Sequence, residues 1–116
     1  MAQYRVVFYQ DPKGREPMRD WLDELQRRRS NLAGVAMKLL KDLQELGPRV
    51  SKAKSFRYKG VLIYELRKRT PEGAMRIYYL RFRNVFMAVA GEIKTEDEAD
   101  TRLLELVVRA YQEEVN

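Results

Sequence analysis

Apolar residues recur along the chain in two rhythms, and the switch between them separates helical from extended stretches. Residues 3–9 (QYRVVFY) alternate loosely and are rich in β-branched and aromatic side chains, which predicts a first strand. Asp11, Pro12, Lys13 and Gly14 carry turn chemistry, since proline presets φ and glycine accepts a positive one. A helix is expected over residues 17–28. Pro17 suits its first turn, where the missing N–H would have no partner anyway. Met18, Trp21, Leu22 and Leu25 fall on one face, so Trp21 reads as core. Arg27, Arg28 and Arg29 close the helix and complement its negative pole. Ser30 or Asn31 caps a second helix, whose stripe runs through Leu32, Val35, Ala36, Leu39, Leu40, Leu43 and Leu46 until Gly47 and Pro48 stop it. So short a connection predicts an antiparallel helical hairpin.

Period two then takes over. Residues 52–59 (KAKSFRYK) form a basic segment, a short strand or a loop leading into the sheet. Strands are expected over residues 61–69, 75–82 and 85–93, joined by turns at Thr70, Pro71, Glu72 and Gly73 and at Arg83 and Asn84. Short turns between successive runs imply antiparallel pairing. Thr95 and Glu98 match a helix capping box, which predicts a closing helix over residues 97–113 with Ala99, Leu103, Leu106, Val107 and Ala110 inward. The pattern is that of one α+β domain over residues 1–116. It has an antiparallel-rich sheet, an N-terminal helical hairpin on one face and a C-terminal helix.

Composition narrows the chemistry. The chain has no cysteine and no histidine, which removes thiolate sites, disulfides, histidine-based triads and the usual general base near neutral pH. Catalysis would fall to Lys, Arg, Tyr, Asp, Glu or backbone groups. No apolar run reaches the length of a membrane span and no signal-peptide core is seen, so a soluble, cytoplasmic protein is expected. The net charge of +6 is unevenly spread: residues 49–83 hold 11 Lys and Arg against 2 acids, whereas residues 92–116 hold 8 acids against 3 bases. A basic block of that density points to a polyanionic partner.

Within that block, arginines stand in strands that otherwise look like core. Alternation puts Val61, Ile63, Glu65, Arg67 and Arg69 on one face of their strand, and separates Arg76, Tyr78, Leu80 and Phe82 from Met75, Ile77, Tyr79 and Arg81 on the next. If Arg67 and Arg76 share a face, two permanent charges converge where a phosphodiester could be gripped and its transition state stabilised. A salt bridge to Glu65 is the plainer role for Arg67. Tyr78 could stack a splayed base, or serve as core. Lys52, Lys54, Arg57 and Lys59 could hold an RNA backbone, or simply be solvated. Lys94 ends the last strand; arginines crowding it would lower its pKa and ease proton transfer.

The order of these segments resembles the phage-derived, HigB-like branch of the RelE/ParE toxin superfamily, over almost the whole chain. The resemblance rests on Phe8 and Tyr9 followed by Gly14 and Pro17, on E-L-R at 65–67, on R-I-Y-Y at 76–79, and on Gly91 and Lys94 ending the sheet. It implies a RelE-like fold and a type II toxin, a ribosome-dependent mRNA endoribonuclease using the RNA's own 2′-OH without metal or cofactor. It also implies mRNA and the ribosome as targets and a helix-turn-helix antitoxin as partner. Arg67 and Arg76 would bind the scissile phosphate, and Lys94 would donate or accept a proton. Lys52 and Lys54 lie where relatives carry basic residues. The chain departs from the pattern at Glu92, an acid that would repel RNA, and in lacking a second lysine there. A gyrase-targeting inhibitor of the same superfamily and a phage nucleic-acid-binding accessory protein are the alternatives.

Overall fold

Strands β2 (Ala53–Tyr58), β3 (Val61–Thr70), β4 (Gly73–Phe82) and β5 (Val85–Lys94) follow one another through tight turns and pair antiparallel, as the alternation predicts for the last three; of the two readings of the basic segment, strand is the one observed for β2. The computed structural model describes residues 3–50 and 53–115. Strand β1 (Arg5–Phe8) lies on the far side of β5 and runs parallel to it, giving the sheet order β1-β5-β4-β3-β2. A parallel neighbour needs a long crossover, and helices α1 (Pro17–Arg28) and α2 (Ser30–Leu46) lie in the connection after β1. They form the expected hairpin and cover one face of the sheet.

On that face, Met18, Leu22 and Leu25 of α1 and Leu32, Ala36, Leu39 and Leu43 of α2 meet Leu66, Met75, Ile77, Tyr79 and Phe86. Each large side chain buried there contributes about 1.5–3 kcal/mol. Trp21 is partly buried and packs against this core, and it explains Gly91: any Cβ at that position would overlap the indole ring. The opposite face carries a second core of Val61, Ile63, Tyr78, Leu80, Met87 and Val89 under helix α3 (Thr101–Val115).

Helix α3 begins four residues later than the capping box predicts. Thr95 and Glu98 cap nothing. Asp100 does the capping instead: its carboxylate accepts from the Arg102 N–H at 2.9 Å and its carbonyl accepts from the Leu103 and Leu104 N–H groups. Residues 95–100 form a bent, non-helical strap at the sheet end, held in place by two buried side chains described below. No helix among the described residues is long and apolar enough to cross a membrane.

Candidate polyanion site

The β3–β4 ladder is unbroken from Tyr64 opposite Tyr79 to Thr70 opposite Gly73, and it sets Arg67 directly across from Arg76. Both guanidinium stems therefore leave the same face, the one that α3 covers further along. The next strand reaches this face only through an irregularity. Tyr78 pairs with Ala90 and Tyr79 with Ala88, so Val89 is an extra residue in β5. Val89 and Ala90 both turn toward α3. Beyond the bulge the alternation is reversed, which brings Glu92 opposite Arg76 and Lys94 opposite Ala74. Without it Glu92 and Lys94 would face the helical hairpin.

Between the β3–β4 turn, the end of β5 and the strap lies a hollow of about 310 Å³, lined by Arg67, Arg69, Thr70, Lys94, Thr95 and Asp97 among others. Its lining holds three cations and one carboxylate. The turn approaches β5 so closely that a Cβ on Gly73 would sit 2.7 Å from the Lys94 carbonyl oxygen, and Gly73 has φ +128°, a backbone state that other residues rarely adopt. Arg67 is partly open, with 30% of its side chain exposed. Its Nη2 lies 3.6 Å from Oδ1 of Asp97, a carboxylate that is itself 97% exposed. The carboxylate beside Arg67 is thus Asp97 of the strap, and Glu65 is not its ion-pair partner.

Arg76 corrects the expectation of two open guanidiniums. It is only 1% exposed. Its Nη2 donates to the Glu96 carbonyl oxygen at 2.8 Å, while its Nε is buried with no hydrogen-bond partner. Glu92 is buried too. One of its oxygens accepts from the Tyr78 hydroxyl at 2.6 Å and from the Asp100 N–H at 3.2 Å. Arg76 and Glu92 thus pin the strap from below at two points.

Tyr78 is a second correction. It is fully buried, edge-on to Phe56, and cannot stack a base in this conformation. Burial, and then its bond to Glu92, push its phenol well above the ordinary tyrosine range. The basic residues of the β2 region do not share one surface. Lys54 is exposed and opposite Glu65, on the arginine face. Arg57 pairs with Leu62, which puts it on the other face. Lys59 is exposed in the β2–β3 turn and forms an ion pair with Glu105 of α3, which also accepts from the Tyr58 hydroxyl at 2.9 Å. Hydrogen bonding to Glu105 raises the Lys59 pKa. Lys52 lies outside the described residues.

The structure therefore puts Arg67 and Lys94 in the lining of the hollow and leaves Arg76 buried beside Arg67, outside that lining. Lys54 lies on the same face, and Tyr78, Arg57 and Lys59 are away from the hollow. The structure adds Arg69 and Asp97. Arg69 was signalled by its two-residue spacing from Arg67; Asp97 was hidden by a capping motif that looked helical. A larger groove of about 540 Å³ between β1 and α2 is lined by Val6, Phe8, Met37 and Leu40 among others, and shares no residue with the arginine face. No family model matches the chain, and no curated protein matches it.

Proposed function

We propose that the hollow at the end of β3, β4 and β5 takes an RNA phosphodiester. On this reading the chain is a type II toxin of the RelE-like kind, a metal-independent endoribonuclease that acts on mRNA at the ribosome in the cytoplasm, with a helix-turn-helix antitoxin as its partner. The observation that carries it is the direct opposition of Arg67 and Arg76 in the ladder, with Lys94 on the same face beside an open hollow. Arginine forks match two phosphate oxygens at once and stay charged at every physiological pH. In a confined site they stabilise charge as it grows on the phosphorus centre.

The reaction needs little else from the protein. The ribose 2′-oxygen bonds to phosphorus, its proton leaving to water, and the bond from phosphorus to the 5′-oxygen breaks. Lys94 is placed to protonate that departing oxygen. The products are a 2′,3′-cyclic phosphate and a 5′-hydroxyl. A second reading, an RNA-binding protein that does not cut, is favoured by the burial of Arg76 beneath the Glu96 carbonyl. Primer extension on translated mRNA after induced expression separates the two. The nuclease reading expects discrete cuts with the parent chain, and none with Arg67→Ala or Lys94→Ala. RNA binding with no cut from the parent chain leaves the binding reading alone.

A further inference from the structure

The strap over residues 95–100 carries Glu96, Asp97, Glu98 and Asp100, four acids in six positions, and crosses the most basic corner of the sheet. Its contacts match what an RNA backbone would offer. A carboxylate oxygen of Asp97 stands beside the Arg67 guanidinium, and a carbonyl oxygen of Glu96 accepts from Arg76. The Asp97 contact is long and its carboxylate is almost wholly in water, so screening leaves it worth little. Arg76 keeps an unpaired Nε although it is buried, a cost that a better set of acceptors would remove.

We propose that the strap is an internal competitor for the polyanion site. Asp97 and the Glu96 carbonyl occupy the positions of phosphate oxygens, and RNA displaces them, freeing Arg67 and uncovering Arg76. This rests on the reading that the hollow binds RNA and adds how access to it is controlled. Displacement has a defined hinge region. Gly73 and Lys94 fix one end of the strap by their close approach, and the bond from the Asp100 N–H to Glu92 fixes the other. The middle of the strap, with Glu96 to Glu98 exposed, is free to lift once Arg76 lets go.

The test is fluorescence anisotropy of a labelled single-stranded RNA oligonucleotide with the full chain. It compares the parent with Asp97→Asn, with Arg67→Ala, with the double variant, and with Asp23→Asn, a charge-matched change on exposed α1. Asp97→Asn should tighten binding about two- to fivefold. Asp23→Asn should not, and the gain should vanish when Arg67 is also removed. Binding by Asp97→Asn alone, with none by the parent, is the same result in stronger form. Equal effects of the two asparagine variants, with Arg67→Ala still weakening binding, overturn the strap and leave the RNA site standing. No binding by any variant, or binding indifferent to Arg67, overturns both.

Discussion

Replacing Arg76 by methionine separates a residue kept for binding from one kept for stability. Methionine matches the stem of the arginine and removes its charge. The change loses a charge-assisted hydrogen bond to the Glu96 carbonyl, worth about 1.5–3 kcal/mol. It also removes a buried Nε that has no partner, recovering about 1–3 kcal/mol. The two nearly cancel, so the variant should unfold in urea within about 1.5 kcal/mol of the parent at neutral pH. The strap should loosen all the same, seen as faster amide exchange over residues 95–100. If Arg76 instead serves chiefly to offset the buried Glu65 and Glu92, its loss leaves those carboxylates uncompensated and costs about 3–5 kcal/mol. A loss of that size, or unchanged exchange in the strap, refutes the reasoning.

Three further outcomes follow from the packing. Gly91→Ala should destabilise the chain by about 1–3 kcal/mol and shift the Trp21 emission, because the new methyl overlaps the indole; unchanged emission would show that the ring lies elsewhere. Gly73→Ala forces a Cβ against the Lys94 carbonyl at a positive φ, so chemical denaturation should show a cost of about 1–3 kcal/mol. Burial raises the phenols of Tyr9 and Tyr79 to about 12 in the folded chain, against an ordinary 10.0. Their contribution to stability is thus intact below pH 10 and is lost as pH rises toward 12. Thermal melting should accordingly be flat up to that window and fall within it, and Tyr79→Phe should make the fall shallower.

The helical hairpin and the strand order from β3 to β5 were legible because each element has one rhythm and a stop signal at its end. Leu32 to Leu43 recur at helical spacing up to Gly47, and the turns ending at Gly73 and at Arg83 and Asn84 separate alternating runs. Parallel pairing of β1 with β5 was not legible, since nothing in residues 5–8 records which strand lies beside them. The bulge at Val89 was hidden for a related reason. Residues 85–90 are apolar on both faces, so a change of phase leaves no mark in the pattern. Yet that bulge carries Lys94 to the arginine face.

The site shows the same division. Period two and the turn at residues 70–73 allowed Arg67 and Arg76 a shared face without fixing it, and the unbroken ladder supplies it. The burial of Arg76 left no mark in the sequence, because it depends on a strap whose T-x-x-E signature reads as the start of a helix, and Tyr78 is buried by packing under α3 and against Phe56. Two contacts with the sheet override that local preference, Arg76 with the Glu96 carbonyl and Glu92 with the Asp100 N–H. Local capping contributes about 1 kcal/mol. Two hydrogen bonds to buried charged groups contribute more.

The salt dependence of single-stranded RNA binding tests the central assignment most directly. Each phosphate neutralised on a single strand contributes about 0.7 to the slope of log affinity against log salt. The parent chain should show a steep negative slope, and Arg67→Ala should flatten it by about 0.7 while weakening binding at every salt concentration. A slope identical in the parent and in Arg67→Ala would mean that no phosphate sits in this hollow.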